Sequence, residues 1–194
     1  MNLEAAKKEL NAAKRSLENM KSAPSFDIFE EEWRDLLNCL EKVWNKTERG
    51  CQHVINKFQP WQGKYSSLRK KDMLLRYLKQ ARDADNHSIQ EVAEIKPGHR
   101  TMNFLNPRGG YIKHMEINGS EITHYEGDPM IVTDHPPSIE AIRVKNSGSW
   151  YNPPTSHLDE EVKSKHPVVL ADLGIRFYEQ FLNETESKFF TKKP

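Results

Sequence analysis

Apolar residues recur at helical spacing in the first part of the chain. In residues 3–21 they fall alternately three and four positions apart and form one narrow seam, opposite a face of Lys and Glu. Residues 26–48 carry a wider apolar face that includes Trp33 and Trp44, and Ser25 precedes it as a good N-cap. The pattern predicts two amphipathic helices, and the seam of the first suits pairing with another helix.

The helical signals that follow are interrupted. Pro60 and Gly63 separate the apolar positions of residues 53–67, which predicts a short helix followed by a loop. A longer helix is predicted over residues 68–86, where Leu and Ala recur on one side.

A capping signal follows this helix. The tetrapeptide Ser88-Ile89-Gln90-Glu91 matches a capping box, which predicts a further short helix that ends before Pro97. Together these segments predict a bundle of about four helices over residues 1–96.

The pattern changes in residues 98–165 to short runs of β-branched and aromatic residues between glycines and prolines. Asn118-Gly119 joins two such runs, and Asn-Gly favours the tight turn of a hairpin. Helical spacing returns in residues 166–190, where Pro167 suits the first turn. We therefore expect an α+β fold: an N-terminal antiparallel helical bundle, a small antiparallel β subdomain over 98–165, and a C-terminal helix that packs on the bundle.

The composition is that of an ordered protein. Of the 194 residues, 36% are hydrophobic and 9% are aromatic, whereas disordered chains are poor in aromatic residues. Cys39 and Cys51 fit free thiols in a reducing compartment better than a metal-ligand array or a disulfide framework. The first residues lack the apolar core of a signal peptide, and no stretch reaches the ~18 apolar residues that span a membrane. We expect a cytoplasmic protein with no membrane partner.

A strongly basic stretch stands out in a chain whose net charge is only +1. Residues 64–82 contain seven bases against one acid, Asp72, which gives a local charge of +6. The bases of this basic stripe are Lys64, Arg69, Lys70, Lys71, Arg76, Lys79 and Arg82. Such a stripe attracts phosphate, and Lys70, Lys71, Arg76 and Lys79 are the candidate RNA-binding residues. The alternative is a solvated helix face that pairs across the bundle with the acidic residues 27–35.

The basic stripe runs into the hexapeptide from Arg82 to His87. In a regular helix these two positions lie about 140° apart, so they converge only if the helix ends or kinks between them, which the capping box favours. His87 could then move a proton to or from RNA oxygens, while Arg82 holds the phosphate and Asp83 or Asn86 orients the imidazole. That reaction needs no metal and no other cofactor. The alternative is a structural helix end whose polar side chains satisfy backbone groups.

A helical bundle with Arg82, a polar residue directly after it and His87 five positions on resembles the HEPN (higher eukaryotes and prokaryotes nucleotide-binding) superfamily. The resemblance covers residues 1–96. It implies a metal-independent endoribonuclease or RNA-binding protein, connected with toxins or phage defence, that forms a homodimer around RNA. It also implies Arg82 and His87 as the catalytic pair and Asp83 as a supporting residue. Because many such bundles are not catalytic, an interaction or dimerisation protein of the same fold is the alternative.

Two features of the later chain carry weaker alternatives. Six histidines follow residue 98, but without a zinc-binding motif or a cysteine pair, so surface histidines are favoured over a metal site. A Ser-His-Asp triad would lack the nucleophile-elbow motif. The rigid segment 150–154 begins with Trp150, which could stack on a nucleic-acid base or cover a sheet edge.

Overall fold

The structure is a computed structural model that describes residues 2–88 and 90–190, except for the side chains of residues 87 and 88. The helices and strands give the α+β class that the sequence predicts. The helices are α1 Glu4–Lys21, α2 Phe26–Gly50, α3 Ile55–Lys71, α4 Met73–Ser88 and α5 Pro167–Phe189, with a 3₁₀ turn at Gln52–Val54. The predictions for the first two helices and the C-terminal helix are confirmed.

The strands pair two by two. They are β1 Ala93–Lys96, β2 His99–Phe104, β3 Ile112–Asn118, β4 Glu121–Gly127, β5 Met130–His135, β6 Ser138–Ala141, β7 Val144–Asn146, β8 Ser149–Tyr151, β9 Ser156–His157 and β10 Glu160–Glu161. In the described residues the pairs are β1–β6, β2–β5, β3–β4, β7–β8 and β9–β10. The hairpin predicted at Asn118-Gly119 joins β3 to β4, and Gly119 takes the left-handed φ of +62° that its turn requires.

The chain divides into two units, residues 1–95 with 139–194, and residues 96–138. We call the first the helical unit and the second the β arm. Residues 139–165, which the sequence analysis grouped with the β subdomain, lie in the helical unit. The β arm consists of two antiparallel ribbons, β2–β5 and β3–β4, and each of its residues is exposed or half-buried.

The core of the helical unit lies between the helices and is rich in aromatic side chains. Trp33, Phe58 and Phe181 are completely buried. Trp44 stacks on Phe181 with ring centres 4.8 Å apart, and Tyr65 of α3 lies 4.9 Å from the same ring. The burial of these large rings stabilises the contacts between α2, α3 and α5. In the part of the chain that the structure describes, no helix is long and apolar enough to cross a bilayer.

The helix boundaries between residues 53 and 88 differ from the prediction. The predicted loop is part of α3, which passes through Pro60 and Gly63 because burial of Phe58 and Tyr65 outweighs their low helix propensity. The helix predicted over 68–86 is interrupted at Asp72, whose extended ψ of 135° ends α3. The Asp72 carboxylate accepts a hydrogen bond of 2.9 Å from the backbone N–H of Leu75, so it caps the start of α4.

The capping box at residue 88 is also a wrong prediction. Ser88 is the last residue of α4, residues 90–92 are irregular, and β1 begins at Ala93. The Gln90 side chain instead binds the backbone of β7. It donates a hydrogen bond of 2.8 Å to the Lys145 carbonyl and accepts one of 2.9 Å from the Lys145 N–H.

Candidate functional site

The predicted break between Arg82 and His87 does not occur. Helix α4 is continuous through both positions, so within one chain they stay about 140° apart around the helix axis. The His87 side chain lies outside the described residues. The catalytic pair therefore stays a prediction from the sequence, and the kink on which it depended within one chain is absent from α4.

Arg82 and its neighbours bind α2. The Arg82 guanidinium donates to the Asp83 carboxylate at 2.6 Å, and its Nε lies 3.4 Å from Oδ1 of Asn38 in α2. Asn86 donates to the same Asn38 oxygen at 3.0 Å. Asp85 forms an ion pair of 2.9 Å with Arg34, also in α2. These contacts connect the end of α4 to α2 through pairs of side chains, whereas the structural alternative had the polar side chains satisfy backbone groups at a helix end.

The basic stripe separates into bases that have a partner in the helical unit and bases that have none among the described residues. Arg69 is only 7% exposed: its Nε donates to the Tyr178 hydroxyl at 3.0 Å, its Nη2 pairs with Glu41, and its guanidinium lies 4.1 Å from the Trp44 ring centre. Lys64 pairs with Glu184 at 3.0 Å. Both bases therefore have an acidic partner in the helical unit, Arg69 in the core and Lys64 at the surface.

The four candidate RNA-binding residues have a different environment. Lys70, Lys71 and Arg76 are exposed, and Lys79 is half-buried. None of the four forms an ion pair or a side-chain hydrogen bond with another described residue, and none pairs with the acidic residues 27–35. Their charges are therefore available to an anion.

Arg76 lines a pocket together with an exposed aromatic segment. The pocket has a volume of about 190 Å³, and its walls are Met73, Arg76 and Tyr77 of α4 with Trp150, Tyr151 and Asn152. Trp150 is 53% exposed. The structure thus brings part of the basic stripe against the aromatic segment, two features that the sequence separates by about 70 residues. We call this the aromatic–basic pocket.

The β7–β8 hairpin adds further cations around Trp150. Lys145 pairs with Trp150 across the hairpin, and its Nζ lies 5.7 Å from the ring centre. The guanidinium of Arg143, just before β7, lies 4.5 Å from the same centre. Such cation–π contacts favour a positively charged setting for the indole. Arg143 and Lys145 were not among the residues predicted from the sequence, although their alternation with Val144 before the turn is a signal for one hairpin face.

Contacts with α4 hold this hairpin in place. The buried Tyr77 hydroxyl donates to the Ile142 carbonyl at 2.6 Å, and Asn146 donates to Gln80 of α4 at 2.7 Å. Burial raises the pKa of Tyr77 far above its ordinary value, so this phenol stays a donor. The position of Trp150 relative to Arg76 is therefore fixed by packing and hydrogen bonds rather than by a free loop.

The later histidines fall into two groups. His99, His114, His124 and His135 are exposed on the β arm, as expected. The prediction of a surface position is wrong for His157, which is buried, and for His166, which is half-buried and accepts a hydrogen bond of 3.3 Å from the backbone N–H of residue 168 at the start of α5. Among the described residues, no three His, Cys, Asp or Glu side chains are grouped so that they could hold a metal ion.

No protein-family model, no curated protein and no solved structure matches the chain. The resemblance to the HEPN superfamily therefore rests on the spacing of Arg82, Asp83 and His87 in a helical bundle. The nuclease activity and the homodimer that it implies stay predictions.

Proposed function

We propose that the chain binds single-stranded RNA at the aromatic–basic pocket, with a base stacked on Trp150 and the adjoining phosphate held by Arg76. The observation that carries the proposal is the half-exposed indole of Trp150 in one pocket with Arg76, beside Arg143 and Lys145. Proteins commonly bind single-stranded nucleic acid with exposed aromatic rings surrounded by cations. Every base has a π face that can stack on such a ring, and every phosphodiester linkage carries a negative charge.

The size of the pocket suits one ring system. At about 190 Å³ it is smaller than the roughly 300–1,000 Å³ of pockets that enclose a drug-sized ligand. A base could enter while the sugar and phosphates stay outside. Lys70, Lys71 and Lys79, which flank Arg76 in the sequence, are candidates for holding further phosphates. A duplex keeps its bases stacked on each other and would not offer one to Trp150.

The test is fluorescence anisotropy with labelled oligouridine and oligoadenosine of about ten nucleotides, a length within the usual range of single-strand sites. Trp150→Ala should weaken binding by about 1–3 kcal/mol, the usual value of one stacked base. Tyr111→Ala, which removes a 68% exposed ring on the β arm, is the matched control and should leave binding unchanged. Equal affinity of wild type and Trp150→Ala would refute the stacking.

The salt dependence tests the phosphate contact separately. For single strands each phosphate contact contributes about −0.7 to the slope of log affinity against log salt. Arg76→Gln should therefore make the slope shallower by about that amount. Arg176→Gln is the control, since Arg176 is an exposed arginine of α5 that pairs with Asp172. DNA of the same sequence shows whether the 2′-hydroxyl contributes.

The β arm favours a second candidate function, interaction or dimerisation. Isolated two-stranded ribbons are marginally stable in water, and the two ribbons of the β arm expose Ile112 and Ile117 in β3 and Ile131 and Val132 in β5. Ile117→Lys and Ile131→Lys should each reduce any self-association that light scattering detects in the wild type. A monomeric wild type across the accessible concentrations would remove the dimer.

A further inference from the structure

A second pocket of the helical unit lies between the β9–β10 hairpin and the first turns of α5. Its volume is about 310 Å³. Its apolar wall is formed by Val162, Val169 and Leu173, and its polar wall includes His157, Glu160 and Glu161. This volume is at the lower end of the range for small-molecule sites, and a mainly apolar wall with a few polar groups is typical of them.

His157 is fixed in the wall of this pocket by Asp72. The histidine is only 9% exposed, and its Nδ1 lies 3.0 Å from Oδ1 of Asp72. Burial acts to raise the pKa of Asp72, but hydrogen bonds from His157, Leu75 and Leu158 outweigh it and hold that pKa below its ordinary value. Asp72 is therefore ionised and can only accept hydrogen bonds.

The ionised Asp72 carboxylate determines which ring nitrogen of His157 is left for a ligand in the pocket. Because Asp72 accepts, Nδ1 carries a ring proton, and Nε2 is the nitrogen that accepts a hydrogen bond when the imidazole carries no second proton. Nε2 has no hydrogen-bond partner within the described residues. The His157 side chain is about nine-tenths buried and is oriented by a carboxylate. Its unpaired Nε2 is therefore suited to a ligand that donates a hydrogen bond.

The backbone beside His157 is strained and held in place. Leu158 and Asp159 have φ values of +49° and +67°, in the left-handed region that a branched side chain such as Leu rarely occupies. The Leu158 N–H donates to Asp72 Oδ2 at 2.8 Å, which holds the two-residue turn between β9 and β10. Strained residues that the surroundings hold in place cluster at binding sites.

We propose that this pocket binds a small primary amine with a short apolar chain. The ammonium group donates to Nε2 of His157 and is attracted by the carboxylates of Glu160 and Glu161, while the chain lies on the apolar wall. Two acids against one base, Lys163, line the pocket and favour a cation over a carboxylate. This proposal is independent of RNA binding, since an acidic wall repels phosphate.

The test is titration calorimetry of the whole chain with hexylamine, hexanol and hexanoate near pH 7.5, where an alkylamine is protonated like a lysine side chain. Hexylamine should bind about tenfold or more tightly than hexanol, because a hydrogen bond that involves a charged group contributes more. Hexanoate should show no saturable binding. Equal affinity for the amine and the alcohol, or no saturable binding of the amine, would overturn the proposal.

Variants at the rim test the site without disturbing the core. Glu160→Gln and Glu161→Gln change exposed residues and should each weaken hexylamine about two- to fivefold, the usual size of an exposed charge contact. Glu18→Gln, an exposed glutamate of α1, is the matched control and should bind as the wild type does. Rim variants that bind hexylamine as tightly as this control would contradict the assignment, and all three should bind RNA normally.

Discussion

The substitution Arg69→Met tests whether some bases of the basic stripe stabilise the fold while others bind RNA. Arg69 lies in the core side of α3, and Glu41, its partner in α2, is itself only 13% exposed at the side chain. Met retains an unbranched apolar stem that can pack on Trp44, so the cavity left behind is small. The main effect is that the Glu41 carboxylate remains buried without its cation, and the Tyr178 hydroxyl loses a donor.

The expected loss follows from that geometry. Removing one partner of a buried ion pair costs about 3–5 kcal/mol of unfolding free energy, because the remaining charge is not compensated. For a chain of this size about 2–4 °C of Tm corresponds to each kcal/mol, so Arg69→Met should lower Tm by roughly 6–20 °C. Adding Glu41→Gln removes the uncompensated charge and should recover part of the loss.

The assay is urea unfolding and calorimetry of Arg69→Met beside Arg76→Met. Arg76 is exposed and has no partner among the described side chains, so its replacement should stay within about 0.5 kcal/mol of the wild type. RNA affinity should show the opposite order, unchanged in Arg69→Met at a temperature where it is folded and reduced in Arg76→Met. A loss below about 1 kcal/mol for Arg69→Met, or equal losses for both variants, would refute the reasoning.

Three further predictions concern other positions. Burial lowers the pKa of His166 below its ordinary value of 6.5. Below that pH the folded chain binds fewer protons at His166 than the unfolded chain does. The free energy of unfolding should therefore be highest above pH 6.5 and fall as the pH drops below it. His166→Asn, which keeps a capping acceptor, should flatten that fall between about pH 7.5 and 5.5 in urea unfolding, and an unchanged profile would contradict this. Gly174→Ala should cost about 1–3 kcal/mol in the same assay, because its Cβ would lie 2.6 Å from a Leu78 methyl carbon; a stabilised variant would show that α5 has room there. The nuclease hypothesis predicts that wild type, but not His87→Ala, cleaves mixed RNA in EDTA; because α4 is continuous from Arg82 to His87, the pair would have to form between two subunits, and equal cleavage by both proteins, or cleavage by neither, would refute it.

Most of the helical fold could be predicted because its signal is local. The narrow seam of α1 and the wide apolar face of α2 repeat at helical spacing over many turns, and Ser25 accepts the capping hydrogen bond expected of it from Ile28. The errors came where tertiary packing outweighs propensity, as in α3 through Pro60. The start of α4 did have a local signal, since Asp72 directly precedes the apolar run Met73 to Leu75 and is a good N-cap.

The binding surfaces could be predicted only in part, because they depend on contacts between distant segments. Trp150 was identified as a stacking candidate and Arg76 as a phosphate contact, but nothing in the sequence places them in one pocket. His157 lies 85 residues from Asp72, and an isolated histidine in a polar stretch gives no sign of burial. The buried carboxylate that orients it is visible only after the chain is folded.

Asp72 explains why the basic stripe could not be assigned from its spacing. Arg69 and Arg76 are seven residues apart, so in the single helix predicted over 68–86 they would lie only about 20° apart on one face. The break at Asp72 separates their helices: Arg69 stays with α3 and enters the core, while Arg76 belongs to α4 and lines the aromatic–basic pocket. The same carboxylate caps α4 and holds His157 and Leu158 at the second pocket. Asp72, the single acid in the basic stripe, thus determines which arginine is structural. It also lies at the start of α4, the helix that both proposed sites contact.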